Sequence, residues 1–428
     1  MSGYKTNTFL LLTEEIVGAL FAAIVSIKRR RKMKIKLVGL FLVLAMIGII
    51  AGSNLNEANA SQDDKTIKVV WLSFGLSHEW FHSLSIFAEH EARKIEKEDG
   101  VKFEFIIKDG QRNLQTQLQQ FDQLIAQKNV DIIYFEPIDQ TALAKMVKKV
   151  NKKLNIPIGS AGIMTNGGHY LYVGLDNVAA TERCGEQLIR LLNEKYGKGQ
   201  WPENSVVMEN WGPPGISITT NRHAGFWKTF EPALKENPTV KMVNATGMWD
   251  PATAFKAASD VLTKYGDKLI GAYSHDDPSA TEGIVRALEL KKLQYPVGHP
   301  KHIPIVSYDA TKTGMQAIRD KEIDVITEQP ARGYAHLVMR YLYEWHKNGY
   351  ESLPKPGTVL TKTQLKQMFS QETGVDSWSP ATVKKGINWD GIWIAPKSPL
   401  IPNEVDPYAK SQWGNYMYWL DKNEWPKK

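Results

Sequence analysis

The 428-residue sequence contains a single cysteine, Cys184. One thiol excludes an internal disulfide and a cysteine-based zinc site, and it fixes no compartment. Its setting, TERCGEQLIRLL, is helical, and a thiol there reads as a small buried hydrophobe. Catalytic signatures are missing too. There is no G-x-S-x-G elbow, no H-E-x-x-H pair and no P-loop, and no G-x-G-x-x-G follows the first strand. No catalytic residue, metal site or cofactor is therefore expected. The body of the chain also lacks a charge excess. Residues 1–60 hold eight of the 53 Lys/Arg and three of the 46 Asp/Glu, which leaves 45 basic against 43 acidic groups. A surface so balanced has no field to attract a phosphate backbone, so nucleic acid is not an expected partner.

What is present begins with a leader. Met33, Lys34 and Lys36 open a short basic stretch, LVGLFLVLAMIGIIAG (37–52) is apolar, and Ala58-Asn59-Ala60 follows. That order is a secretory signal, with cleavage expected after Ala60 and a periplasmic product. A second apolar stretch, IVGALFAAIVSI (16–27), precedes it and ends in KRRRK. It reads as part of a double-spanning anchor or as sequence upstream of a start at Met33. The second is preferred, because a signal peptide needs no hydrophobic segment ahead of it. No Cys follows the apolar run, which excludes a lipid anchor on an N-terminal cysteine.

From Lys65 short apolar runs alternate with amphipathic stretches. TIKVVWLSF (66–74), VKFEFIIKD (101–109), VDIIYFEP (130–137), IPIGSA (156–161) and HYLYVGLD (169–176) are expected strands. Helices are expected over 79–100, 114–128 and 140–154. The runs are continuous rather than alternating, as in parallel sheets covered by helices on both faces. The pattern then restarts. Strands are expected at 205–212, 240–247, 269–277, 303–310 and 324–330, with helices between them and a last one over 333–349. Two successive units imply an α/β protein of two doubly wound parallel-sheet lobes facing each other across a cleft. The expected division is 61–175 with 329–360 for one lobe and 176–328 for the other. Residues 361–428, rich in Trp, Pro, Asn and Tyr, have little periodicity; an irregular C-terminal extension packed on the lobes is expected there.

Ligands of parallel sheets bind beyond the carboxyl ends of the strands. Those loops hold GLSHEWFHS (75–83) and MWDPAT (248–253), and the neighbouring strand ends carry Asp139, His275-Asp276-Asp277, Asp309 and Glu328. Aromatic faces pack the C–H side of a sugar ring while carboxylates and guanidinium groups pair with its hydroxyls, so this mixture suits a small polar solute. Any single Asp among them has a second reading as a helix cap. The cluster of His275, Asp276 and Asp277 beside Asp309 also admits a metal or acid–base site, and with it a hydrolase or isomerase reading, but no second His stands near it at ligand spacing.

Seven segments in order resemble the type I periplasmic sugar-binding proteins of ABC importers, the ribose-binding group. They are SHEWFHSL, DIIYFEPIDQTAL, NIPIG, NRHAGF, DDPSATEG, VSYDAT and VITEQPARGYAHL, spanning about Thr66 to Leu360. No helix-turn-helix precedes them, which disfavours a repressor. The resemblance implies two lobes joined by a three-crossover hinge near Asp176, Glu328 and Leu360. It implies that Trp80 and Phe81 stack on the sugar, with Trp249 facing them from the other lobe. His78 stands at an often-Asn position, and Arg222 at that of an arginine contacting sugar oxygens. Asp139 lies in the Pro-x-Asp-x-x-Ala segment. Asp276 falls where Asn is usual, Asp309 matches an Asp, and Glu328 stands where Gln is common. Gly162 and Ile163 depart from the pattern, because an Asp-Arg pair is expected there. The implied partners are a small-molecule ligand, a sugar first, and an ABC permease in the inner membrane. A chemoreceptor or sensor kinase, reading a polyol or signal molecule, is the alternative.

Overall fold

A computed structural model describes residues 66–369 and 374–427, so the expected leader lies outside the described residues. The first unit runs β1 (Ile67–Ser73), α1 (Glu79–Asp99), β2 (Phe103–Asp109), α2 (Leu114–Gln127), β3 (Ile132–Phe135), α3 (Gln140–Lys153), β4 (Ile158–Ala161) and β5 (His169–Val173). The second runs α4 (Asn177–Tyr196), β6 (Val206–Trp211), α5 (Ser217–Glu236), β7 (Lys241–Thr246), α6 (Pro251–Tyr265) and β8 (Leu269–Ser274). A π-helical turn (Ser279–Val285) continues into α7 (Arg286–Leu290), then come β9 (Ile305–Asp309), α8 (Lys312–Arg319) and β10 (Val325–Glu328). The chain returns through α9 (Ala331–Asn348), β11 (Val359–Leu360), α10 (Lys362–Met368), α11 (Val375–Trp378), β12 (Ala381–Lys385) and β13 (Asp390–Pro396). It ends in β14 (Leu400–Ile401) and α12 (Trp413–Lys422).

Two sheets result, in the orders β11-β12-β13-β5-β4-β3-β1-β2 and β14-β10-β9-β8-β6-β7. The central runs become strands buried on both faces, every residue of β3, β8 and β9 being buried, while the edge strands β2 and β7 stay partly exposed. Neighbouring strands of the α/β repeats pair in parallel, as the crossover helices require. Helix α9 returns to pack on α1, β4 and β5 and so belongs to the first lobe. Caps place the loops that matter below. Asn113, Asp139, Asp176 and Asp250 each accept a backbone N–H in the first turn of the following helix.

The C-terminal region departs from the irregular extension expected. β12 and β13 form a hairpin, β13 pairs in parallel with β5 (Ile392 beside Leu171), and β11 pairs with β12. β14 then pairs antiparallel with β10 of the second sheet. The chain thus passes between sheets after β5, after β10 and between β13 and β14. Leu360, the expected third crossing, is instead an edge position of the first sheet. The aromatics explain why this segment orders: Trp389 stacks on Tyr170 with ring centroids 5.2 Å apart, and Trp393 Nε1 donates to Gly174 O at 2.6 Å. Trp378 and Trp413 are buried as well. None of the described helices is long and apolar enough to cross a membrane.

Candidate functional site

A small cavity lies between the carboxyl ends of the two sheets, lined by His78, Trp80, Phe81, Trp249, Arg222 and Asp309 among others. His78 opens α1 as its N-cap, and its Nδ1 accepts the Trp80 N–H at 3.2 Å. This puts Trp80 and Phe81 in the first turn, facing the cavity. Trp80 Nε1 donates to Gln329 O at 3.2 Å, across the chain crossing that follows β10. Phe81 stacks on Phe74 with centroids 4.8 Å apart and meets Trp80 edge-on at 5.1 Å. Gly162 is left-handed (φ 71°), and a Cβ there would lie 2.5 Å from Trp80 Cη2. Only glycine leaves room for that indole. The residue after it, Ile163, lines the cavity with Ile218 of the second lobe. An apolar wall stands where the sequence resemblance expects a charged pair.

Opposite this wall the second lobe presents Trp249, Arg222 and Asp309. Arg222 is buried and saturated with acceptors. Nε donates to Asn177 Oδ1 at 3.3 Å, Nη1 to His275 O, and Nη2 to Asp309 Oδ1 at 3.3 Å and to Gln329 Oε1. Its guanidinium stacks on Tyr308, 3.8 Å from the ring centroid. A second layer holds this arrangement: Gly212 N–H donates to His275 Nδ1 at 3.3 Å, and His275 Nε2 meets Glu209 Oε1 at 3.0 Å. Burial would raise the Glu209 carboxyl, but hydrogen bonds from His223 and His275 overcome it and hold it near 2. Asp277 performs a structural task, accepting Thr311 N–H and Oγ1–H, each at 2.8 Å, at the start of α8.

Burial lowers His78 to about 3, helped by the charges of Arg112 and Arg222, so the imidazole is neutral. With Nδ1 accepting, the proton resides on Nε2. That nitrogen is buried without a protein partner, 4.0 Å from Asp276 Oδ2. Asp276 Oδ2 accepts Ser279 N–H at 3.0 Å, while Oδ1 is buried and unpartnered. Burial raises this carboxyl to about 6. Burial also raises Asp309, to about 8, against the pull of Arg222. Trp249 Nε1 is a third buried atom without a partner. One donor imidazole and one indole thus line an aromatic-walled space, with the unpaired Asp276 oxygen on the carboxyl behind the imidazole, while Arg222 and Asp309 are hydrogen-bonded to each other. Among the described residues, no group of three or more His, Cys, Asp or Glu is arranged to hold a metal ion.

Six of the nine residues expected from the sequence line the cavity: His78, Trp80, Phe81, Arg222, Trp249 and Asp309. Asp276 stands behind His78. Asp139 is a correction. It is an exposed N-cap that accepts Thr141 N–H at 2.9 Å and Ala142 N–H at 2.7 Å, and it does not reach the cavity. Glu328 is another, for the cavity is lined by its neighbour Gln329. Adjacent residues of an extended strand point to opposite sides, so a one-residue offset moves the side chain out of the site. Glu328 is buried without polar contact at Oε2, and burial pushes it to about 8.

The lobes touch around the cavity. Gln140 Oε1 accepts Ser217 N–H at 2.7 Å, and Thr313 Oγ1 donates to Glu79 Oε2 at 2.8 Å. At the mouth, Arg112 Nη2 donates to Met248 O at 2.6 Å and to Trp249 O at 3.2 Å. Arg112 and Ile218 carry no motif, Gln140 lies within DIIYFEPIDQTAL, and sequence reasoning singles out none of the three.

Residues 69–348 match the family described as periplasmic binding protein domain. No curated protein matches the chain. Among solved structures, a galactofuranose binding protein is 22% identical with a TM-score of 0.57, over 68% of this chain and 90% of that one. An ABC transporter periplasmic solute binding protein from Actinobacillus succinogenes 130z with bound D-allose is 18% identical, TM-score 0.56, over 78% and 97%. A Caulobacter myo-inositol binding protein bound to myo-inositol is 20% identical, TM-score 0.56, over 66% and 88%. At these identities the likeness is one of fold: two parallel-dominated sheets in two lobes.

Proposed function

Since the chain belongs to the periplasmic binding protein domain family, we propose that it captures a sugar or sugar-like polyol between its lobes and delivers it to an ABC importer. The observation that carries this reading is the pair of buried, unpartnered donors His78 Nε2 and Trp249 Nε1, on residues that line the cavity with Trp80 and Phe81, together with the unpartnered Asp276 Oδ1 on the carboxyl behind His78. Leaving such atoms unpaired costs roughly 1–3 kcal/mol each, and hydroxyls of a bound ring recover that cost. His78 donates, Asp276 accepts, and the aromatic faces with Ile163 and Ile218 take the C–H side. The sugar-related ligands of the structural relatives point the same way.

The protein acts by binding. The carboxyl groups that would serve a hydrolase are committed elsewhere: Asp277 holds Thr311, and Asp309 is hydrogen-bonded to Arg222. Ligand contacts to both lobes favour the closed form, and a membrane permease would read that shape. Export to the periplasm, with cleavage after Ala60, completes the reading. A thermal-shift screen over pentoses, hexoses, inositols and linear polyols tests it. At least one cyclic member should raise Tm by several degrees and be recovered chemically unchanged; a flat screen would reject sugar capture.

A further inference from the structure

We propose that Arg112 is the latch of the closed form, positioning Trp249 over the site and holding the two lobes shut at the mouth. It rests on the reading that the lobes close over a ligand. Arg112 belongs to the loop after β2, the strand farthest from the chain crossings in its sheet, and Met248-Trp249 to the loop after β7, the corresponding edge of the other. A tie at those edges acts with the longest lever arm against opening. The acceptors are the carbonyls of Met248 and Trp249, so the contact fixes the backbone that carries the indole.

Both loops are shaped for this contact. Gln111 and Arg112 (φ 54° and 55°) and Met248 and Trp249 (φ 61° and 53°) are all left-handed without being glycine. Such backbone persists only where the surroundings hold it, and it gathers at ligand clamps. The stem of Arg112 crosses Gly75, where a Cβ would lie 2.7 Å from Arg112 Cγ. Its guanidinium lies 5.8 Å from the centroid of Phe74, whose ring meets Trp249 edge-on at 6.2 Å. Arg112 therefore bridges the first-lobe aromatics to the second-lobe indole. A fixed planar fork can hold two carbonyls at once, as a lysine ammonium does less well.

Interlobe distance, measured without any sugar, tests the latch separately from ligand capture. Spin labels at Gln119→Cys on α2 and Lys256→Cys on α6, both exposed, report the mouth, and buried Cys184 stays unlabelled. In sugar-free protein, Arg112→Ala should lower the ratio of short to long distances about tenfold, as expected for loss of a charge-assisted hydrogen bond. Arg112→Lys should fall between. Gly75→Ala, which keeps the charge but displaces the stem, should open the mouth as well. In the two Arg112 variants Tm should stay within about 2 °C, since surface substitutions outside the core change stability little. Distance distributions unchanged in both Arg112→Ala and Gly75→Ala would overturn the proposal, as would a fall in Tm without a change in distance. Neither result bears on sugar capture, which the thermal-shift screen decides by itself.

Discussion

His78 accepts the backbone N–H of Trp80 through Nδ1, 3.2 Å away, and so turns a protonated Nε2 toward Asp276. One contact caps α1, orients the indole and fixes the tautomer. His78→Ala should therefore weaken sugar binding by about 10–100-fold, the effect of losing a buried donor together with the cap. Asn, which accepts as a cap and donates through its amide, should restore part of it. Calorimetric titration of the two variants checks this; equal affinity for wild type and His78→Ala would remove His78 from the site.

Asp276 supplies a pH dependence. Burial raises its carboxyl to about 6, and only the ionised form accepts at both oxygens. Affinity should fall as pH drops from 7.5 to 5, and Asp276→Asn should be weaker but flat over that range. His78, lowered to about 3, stays neutral throughout and adds no slope. Titrations at the two pH values distinguish these behaviours, and an identical slope in Asp276→Asn would contradict the assignment.

Glu328 governs stability rather than binding. Its carboxyl is raised from an ordinary 4.5 to about 8 by burial alone. Between those values the folded chain keeps a proton that the unfolded chain has released, so stability falls as pH rises. The contribution is full below about 4.5 and lost as pH passes 8. Glu328→Gln should reduce the loss between pH 5 and 8.5 by about 4 kcal/mol in urea titrations. An unchanged slope would contradict a buried protonated acid.

Gly162→Ala should harm the first lobe through Trp80. The methyl would meet Trp80 Cη2 at 2.5 Å, on a backbone with φ 71°. Overpacking and left-handed strain together should cost about 2–4 kcal/mol in stability. Sugar affinity should drop with it as the indole moves. A Tm equal to wild type would show that Trp80 is free to shift.

The C-terminal helix α12 adds a further test. Trp413 is 1% exposed and lies edge-on to Phe87 of α1, while Lys312 and Arg319 of α8 pair with Asp421 and Asn415. The helix therefore contacts both lobes. Trp413→Ala should cost about 3–5 kcal/mol, as for other buried Trp truncations. Urea unfolding measures it, and a loss below 1 kcal/mol would show that α12 is dispensable packing.

The two α/β sets were legible because their strands are near-continuous apolar runs and their helices carry Asn or Asp caps, as at Asn113, Asp176 and Asp250. β12 (ATVKK) and β13 (DGIWIAP) were not, since β13 becomes a strand by pairing with β5, some 220 residues earlier in the case of Ile392 and Leu171, and β12 by pairing with β13. Such pairing leaves a weak local pattern, with Gly391 near its start. Within the site, the aromatics of the first loop and Arg222 stood out by residue type and order. Gln329 was hidden by the charged Glu328 beside it, and only the strand's alternation separates them. Arg112 was unreadable because its partners are backbone carbonyls, which leave no trace in residue identity.

Isothermal titration of the sugars found by thermal shift, against wild type and Trp249→Ala, tests the central claim most directly. Trp249 walls the cavity from the second lobe. The account predicts one-to-one binding by wild type and at least a 100-fold loss in Trp249→Ala, about 2.7 kcal/mol, with the circular dichroism spectrum unchanged. Equal binding by the two proteins, or no heat from wild type with any cyclic sugar or inositol, would contradict capture of a sugar between the lobes.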